Sequence, residues 1–149
     1  MKRRIAVRAI VLRGNEILCV RLKQYKPDMS GSHWCTPGGG VDEGEALLPA
    51  LQREMIEETG IAPVIGELLY VQQFIYKDVD HLEFFYHVTN AEDYETIDLS
   101  TTTHGLKEID EISFINPVGT DVKPVFLATE DIAAHVNTGA PTKVFSYPA

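Results

Sequence analysis

The stretch that decides the fold runs from Gly39 to Ile61 and reads GGVDEGEALLPALQREMIEETGI. It follows the spacing G-x5-E-x7-R-E-U-x-E-E-x-G-U, in which U is a bulky apolar residue and the first U is Met55. The remaining positions of the pattern are filled by Gly39, Glu45, Arg53, Glu54, Glu57, Glu58, Gly60 and Ile61. Seven fixed letters at about 6% usage each give a chance match on the order of one in a million in a chain of this length. The spacing is therefore a real signal.

Residues Ala46 to Thr59 have the length and composition of a helix, and Gly60 is placed to end it in the left-handed conformation. Pro49 falls in the first turn, where its missing N–H has no intrahelical partner to lose. At about 100° per residue, Glu54, Glu57 and Glu58 share one face, next to an apolar face of Leu48, Leu51 and Met55. The sequence therefore predicts a helix with an acidic face and a core-facing side.

Three neighbouring carboxylates repel one another on a bare helix, so a partner of opposite charge is expected. Mg²⁺ prefers oxygen ligands and is commonly held by a few carboxylates together with substrate phosphates. The glycine run before the helix lets the backbone approach closely, and a carbonyl such as that of Gly38 can face the same ion. An arbitrary Glu-x-x-Glu-Glu would more often be a solvated face, but the fixed spacing of Gly39, Glu45 and Arg53 argues against that interpretation here.

This pattern resembles the box of the Nudix hydrolases, including MutT-like enzymes. A lead-in of Trp34, Pro37 and Gly38 extends the resemblance upstream, and Glu108 to Glu111 followed by Phe114 extends it downstream. The resemblance implies an α/β fold: an α/β/α sandwich in which a mixed β-sheet lies between the box helix and a C-terminal helix. It also implies Mg²⁺-dependent hydrolysis, with Mn²⁺ as a partial substitute, of the pyrophosphate linkage in a nucleoside diphosphate linked to another moiety.

The resemblance also implies roles for particular residues. The metal ligands are expected to be Glu54, Glu57, Glu58 and the Gly38 carbonyl, and Arg53 pairs with Glu45 to brace the loop against the helix. The proton acceptor is either a carboxylate, for which Glu54 is preferred, or a hydroxide on the metal ion. A further ligand from outside the helix is expected, with Glu111 preferred, Glu108 as its neighbour and Glu83 as the alternative.

Composition bounds the remaining possibilities. A chain of 149 residues with 44% hydrophobic content fits one Nudix domain over residues 1–149. Cys19 and Cys35 make no disulfide framework and fit a reducing cytoplasm, and no stretch is apolar enough to span a membrane. A net charge of −9 is unfavourable for general nucleic-acid binding. The basic residues of the first hairpin are either solvated edge residues or, in the case of Arg8, Arg21 or Lys23, phosphate ligands.

The rest of the chain predicts mostly strands. Hairpins are expected at 5–23 and 64–89, the second joined through 77–80, with a short strand at 33–36 and another at 108–115. We predict an acidic surface loop at 91–105, a helix over 121–136 and a surface tail after Ala140. The five histidines, which include His81 and His104, are expected in the core or on the surface rather than at a metal.

Two other function classes stay open: a non-catalytic Nudix domain that senses a nucleotide, and an RNA 5′-end pyrophosphohydrolase. The first usually lacks a box glutamate, and this chain has all of them. The second needs an electropositive path for RNA. The nucleotide substrate and the oligomeric state are not fixed by the sequence, and a homodimer is left open by the apolar Leu47 and Leu48.

Overall fold

The computed structural model of the chain describes residues 1–22, 33–102 and 104–147, apart from the side chain of Leu106. The described strands form one mixed sheet: β1 (Lys2–Arg13), β2 (Glu16–Leu22), β3 (Trp34–Cys35), β4 (Gly38–Gly40), β5 (Ile65–Tyr76), β6 (Val79–Val88), β7 (Ile109–Ile115), β8 (Val122–Lys123) and β9 (Lys143–Ser146). The α-helices are α1 (Leu47–Thr59), α2 (Gly105–Glu108), α3 (Phe126–Thr129) and α4 (Ile132–Thr138). Single 3₁₀ turns lie at Ala91–Tyr94 and Leu99–Thr101. No described helix is long and apolar enough to cross a membrane.

Strand β1 is the centre of the sheet. It runs parallel to β6 from Lys2 to Val11, and its last residues, Leu12 and Arg13, turn to pair with β2 in an antiparallel hairpin. The strand order is β8-β3-β2-β1-β6-β5-β9, with β4 paired to β1 and β7 paired to β2. The first predicted hairpin is confirmed, and β1 links the two halves of the sheet.

The helices cover both faces of this sheet. Helix α1 packs against one face through fully buried side chains, and α3 and α4 cover the other. The cluster beneath α1 contains Val7, Ala9, Val11, Leu18, Ala50, Leu51 and Met55. The opposite cluster contains Ile10, Ile17, Tyr70, Phe85, Phe126, Leu127 and Ile132. The predicted α/β/α sandwich with a mixed sheet is confirmed.

The second hairpin is tighter than predicted. Strands β5 and β6 are joined by Lys77 and Asp78 alone, which both have positive φ angles of 49° and 59°. Two central residues with positive φ match the right-handed twist of a hairpin, so β6 begins already at Val79. The prediction that residues 79 and 80 belong to the connection is wrong, because both lie in β6.

The segment predicted as an acidic surface loop is partly ordered against the core. Tyr94 is buried, and its hydroxyl donates a hydrogen bond of 3.0 Å to the carbonyl of Ile61 just after α1. The backbone N–H of His104 donates to the carbonyl of Glu57 at 2.9 Å. The prediction that the whole segment lies on the surface is wrong. The acidic composition of the segment gives no sign of the two contacts made by Tyr94 and His104.

The prediction of one helix over 121–136 is also wrong. Val122 and Lys123 pair with Trp34 and Cys35 as the short parallel strand β8, and Pro124 follows without an N–H to donate. Asp131 then begins a new helix, because its side chain accepts a hydrogen bond of 3.0 Å from the N–H of Ala134. The predicted surface tail contains a further strand, β9, which pairs in parallel with β5.

The cap at Asp131 gives a test of this local structure. Asp131→Ala removes the acceptor of the Ala134 N–H and should lower the free energy of unfolding by about 1 kcal/mol, the usual value of a helix N-cap. Asp131→Asn is the matched control, because asparagine caps as well as aspartate does, and its unfolding free energy should stay close to that of the wild type. Urea denaturation measures both, and equal losses in the two variants would contradict the assignment.

Candidate active site

The site begins where the glycine run meets α1. Strand β4 pairs with β1 so that Gly38 lies opposite Arg8 and Gly39 lies opposite Val7. Gly38 has φ of 138°, and a Cβ there would lie 2.1 Å from the Val7 carbonyl oxygen, so only glycine fits. Helix α1 starts after Ala46, as expected, and ends at Gly60, which has φ of 76°. The helix and the strand carrying Arg8 are thereby held side by side.

Arg53 is the polar centre of the box. Its Nε and Nη2 donate to both carboxylate oxygens of Glu45 at 2.8 and 2.9 Å, and Nη2 also donates to the Gly40 carbonyl at 3.0 Å. Its Nη1 donates to Glu54 at 3.0 Å and to Glu57 at 3.2 Å. The hydrogen bonds from Arg53 and from the Asp42 N–H lower the pKa of Glu45 to about 2. Arg53 therefore braces loop and helix, as the sequence suggested.

Glu58 is the most buried of the box carboxylates. Its side chain accepts a hydrogen bond of 3.1 Å from the Gly38 N–H, yet burial outweighs this bond and raises the pKa of Glu58 to about 8. Burial also raises the pKa of Glu54 above its ordinary value, against the opposing effect of Arg53. The contact of Gly38 with these carboxylates is therefore made by its N–H.

Glu54 lies directly over Gly39. A Cβ on Gly39 would be 2.5 Å from the Glu54 Oε2 atom, so the carboxylate fills the space that any larger residue would need. This close approach gives a physical reason for glycine at the first position of the box pattern.

Glu57 is placed differently from Glu54 and Glu58. Its Oε2 atom is 3.3 Å from His104 Nδ1, and its backbone carbonyl accepts from the His104 N–H. The segment after residue 98 is therefore docked on the C-terminal turns of α1. Sequence reasoning missed His104, because a single histidine in an acidic segment carries no spacing signal.

A cavity of about 270 Å³ lies between the glycine strand, α1 and β1. It brings together several predicted site residues, namely Gly38, Glu54, Glu58, Arg8 and Glu108. Arg4 and Cys35 also line it and were not singled out from the sequence. Arg4 could have been found, because it stands at an even spacing from Arg8 and side chains two residues apart share one face of a strand.

The carboxylates proposed from outside the helix have separate surroundings. Glu108 ends α2 and lines the cavity, although the sequence predicted that it starts the strand. Glu111 lies on β7 opposite Arg21 and forms an ion pair with it. Glu83 lies on β6, where its Oε2 atom is 3.5 Å from Arg8 Nε. The geometry thus favours Glu108 over Glu111 as the additional carboxylate at the cavity.

Of the predicted phosphate ligands, Arg8 lines the cavity and Arg21 does not. Arg8 is largely buried, and the neighbouring Glu83 raises its pKa in spite of that burial. The Arg21 guanidinium lies 4.9 Å from the centroid of the Trp34 ring, in addition to its pairing with Glu111. Lys23 lies outside the described residues.

The donor set fits a hard divalent cation in its chemistry. Two carboxylates with raised pKa values line one wall of the cavity, and such groups gain from a positive charge beside them. In the described part of the chain, however, no three acidic, histidine or cysteine side chains stand together as a ready ligand group. In this structure Arg53 donates hydrogen bonds to Glu54 and Glu57, and the Gly38 N–H donates one to Glu58.

Because the pKa of Glu58 is raised, the stability of the protein should depend on pH when a chelator keeps it free of metal. In the unfolded chain this group ionises near 4.5, and in the folded protein only near pH 8. Its stabilising effect is therefore complete below pH 4.5 and is lost as pH rises through 8. We expect the melting temperature of the wild type to fall more steeply between these pH values than that of Glu58→Gln, which stays neutral. Parallel melting curves against pH would contradict this.

Comparison with known proteins agrees with this architecture. The family model described as NUDIX domain matches residues 2–121. The solution structure of the E. coli ORF135 protein superposes with a TM-score of 0.71 at 24% identity, over 95% of this chain and 96% of that chain.

Local sequence matches point the same way. An RNA pyrophosphohydrolase of Novosphingobium aromaticivorans is 54% identical over 35 residues, which are 24% of this chain and 22% of that protein. The uncharacterized Nudix hydrolase YvcI of Bacillus subtilis is 43% identical over 49 residues, 33% of this chain and 31% of that protein. The chain thus matches less than a third of the length of either relative. The chain belongs to the NUDIX domain family, as its similarity to Nudix hydrolases predicted.

Proposed function

We propose that the protein hydrolyses the pyrophosphate linkage of a nucleoside diphosphate linked to another moiety, in a reaction that depends on Mg²⁺. The substrate class includes nucleoside triphosphates, nucleotide sugars and dinucleoside polyphosphates. The observation that carries the proposal is the cavity in which Glu54, Glu58 and Glu108 share the lining with Arg8. Such a cavity offers carboxylates for a cation and a guanidinium for a phosphate group. Two free cysteines are compatible with a cytoplasmic location, which we include in the proposal.

The cation would be held by Glu54, Glu57 and Glu58. The sequence also offers the Gly38 carbonyl as a backbone ligand, whereas in this structure the Gly38 N–H is the group that bonds Glu58. Glu111 was the preferred additional ligand from the sequence, but its pairing with Arg21 makes Glu108 the better candidate. When bound, Mg²⁺ supplies charge neutralisation to the phosphates and to the crowded carboxylates.

The side chains of this chain provide positioning and proton transfer. Arg8 binds a phosphate oxygen from the wall of the cavity, and Arg53 keeps Glu54 and Glu57 in place from behind. Glu54 accepts the proton of the attacking water, because it lies over the glycine strand at the cavity and burial raises its pKa above the ordinary value, which makes the carboxylate a stronger base. Phosphoryl transfer of this kind needs in-line positioning and electrostatic stabilisation more than covalent chemistry.

An RNA 5′-end substrate is the second candidate, favoured by the short local similarity to an RNA pyrophosphohydrolase. The net charge of −9 speaks against it, because RNA binding relies on a basic path for the phosphate backbone. A gel shift with 5′-triphosphorylated RNA across a salt series separates the two candidates. Binding that weakens steeply with salt, together with 5′-phosphate release, would favour RNA over a free nucleotide.

The proposal predicts a large effect at Glu57. Glu57→Gln removes one charge from the expected metal ligands but keeps the shape of the side chain, so turnover should fall by several orders of magnitude while the protein stays folded. Glu43→Gln is the matched control, because Glu43 is an exposed carboxylate of the same stretch, and its turnover should be unchanged. Near-full activity of Glu57→Gln at ordinary Mg²⁺ concentration would show that the assignment is wrong.

The direct experiment is chromatographic separation of the nucleoside monophosphate and the second product formed from a panel of nucleoside triphosphates, nucleotide sugars, dinucleoside polyphosphates and ADP-ribose. Turnover should require Mg²⁺, continue more slowly with Mn²⁺ and nearly stop with Ca²⁺. It should rise from neutral into alkaline pH, because the base must be deprotonated. Activity that persists in excess chelator, or that peaks in acid, would exclude this mechanism. A protein that binds a nucleotide without turnover would be the sensing domain.

A further inference from the structure

Glu83 and Arg8 form a shielded ion pair beside the catalytic cavity. They lie on the neighbouring parallel strands β6 and β1, where Glu83 is opposite Ala6 and therefore on the same face of the sheet as Arg8. Glu83 Oε2 is 3.5 Å from Arg8 Nε, and the two side chains are only 8% and 19% exposed. A pair so poorly exposed to solvent is screened little by salt, so its charges act strongly on each other.

Only one member of this pair reaches the cavity. Arg8 lines it, whereas Glu83 does not. Glu83 approaches Nε on one edge of the guanidinium, and Nη1 makes a long hydrogen bond of 3.5 Å to the Thr36 carbonyl. In the stretches of chain that the structure describes, Nη2 donates no hydrogen bond. Arg8 therefore keeps donors for a ligand, and any effect of Glu83 on that ligand must pass through Arg8.

The pair also gives Arg8 a carboxylate partner other than those of α1. Glu58 is close enough for its charge to act on Arg8, and an arginine that bonded Glu58 would occupy oxygens that a cation needs. Glu83 gives the guanidinium another carboxylate partner, and Glu58 remains bonded to the Gly38 N–H at 3.1 Å. The cavity thus keeps a positive wall on β1 and a negative wall on α1.

We propose that Glu83 is a positioning residue that holds the Arg8 guanidinium in the wall of the cavity, where Arg8 binds a phosphate group of the substrate. The inference rests on the proposed function, because it assumes a substrate that carries phosphate. It assigns Glu83 a role different from that of a metal ligand.

The test compares Glu83→Gln, Arg8→Gln, the double variant and Glu108→Gln in steady-state kinetics with titrated Mg²⁺. Glu83→Gln should raise KM about tenfold, because the guanidinium loses the charged partner that holds it in place, and should change kcat and the half-saturating Mg²⁺ concentration little. The double variant should match Arg8→Gln, because Glu83 has nothing to position once Arg8 is absent. Glu108→Gln should instead raise the half-saturating Mg²⁺ concentration. Glu16→Gln, which removes an exposed carboxylate paired with Arg13, is the control and should leave all three parameters unchanged.

Two results would overturn the inference: a half-saturating Mg²⁺ concentration that rises in Glu83→Gln as it does in Glu108→Gln, or additive effects in the double variant. If Glu83→Gln alone melts below the assay temperature, the double variant, which lacks both charges, is compared with Arg8→Gln, and a difference in KM between them overturns the inference.

If the protein hydrolyses none of the tested substrates, the proposed function is refuted. The role of Glu83 is then tested by a binding measurement. Calorimetry with inorganic pyrophosphate and Mn²⁺ supports the inference if Glu83→Gln weakens pyrophosphate binding and the double variant binds pyrophosphate as Arg8→Gln does. It opposes the inference if only Arg8→Gln weakens that binding.

Discussion

The hydrogen bonds of Arg53 are the interaction on which the rest of the site depends. One guanidinium joins Glu45, the Gly40 carbonyl, Glu54 and Glu57, so it ties the glycine strand and the loop after it to the middle of α1. A planar group with five donors in fixed directions suits this task, and lysine could not make the same set of bonds. Because Arg53 also neutralises part of the acidic face, α1 can carry its glutamates without a metal ion. The cost is that Glu54 and Glu57 are held by an internal cation that a bound ion must partly replace.

Strand β1 supplies the second half of the site. It pairs with β4 on one side and with β6 on the other, so the glycine run and the Glu83 carboxylate flank the same arginine. The α1 side of the sheet is apolar, and the opposite side holds Arg4 and Arg8 at the cavity before it becomes the aromatic core around Tyr70 and Phe85. The alternation of side chains along β1 therefore places both arginines at the cavity, and α1 supplies the carboxylates Glu54 and Glu58 that face them.

The sequence predicts the parts of this structure that local rules determine. The limits of α1 and the stop at Gly60 follow from composition and spacing, and the pairing of Arg53 with Glu45 follows from the family resemblance. The structure contains each of them. The layers of the fold followed from the family resemblance. Strand register and the contacts between distant segments depend on long-range pairing, which local rules do not determine.

Long-range contacts explain three of the differences from the predictions. Val122 reads as part of a helix, but it pairs with Trp34 far away in sequence. Glu111 was preferred over Glu108 for its nearness to the predicted strand, but the register of β7 places it opposite Arg21. The docking of His104 on Glu57 has no local signal at all.

We propose that a divalent cation binds at the carboxylates around Glu58 in competition with protons. Calorimetric titration with Mg²⁺ near pH 7, repeated in buffers of different ionisation enthalpy, tests it most directly. Because the pKa of Glu58 is raised to about 8, the wild type should release close to one proton for each bound ion, and Glu58→Gln should bind Mg²⁺ more weakly with no such release. Tight Mg²⁺ binding that is independent of the buffer and unchanged in Glu58→Gln would contradict the account.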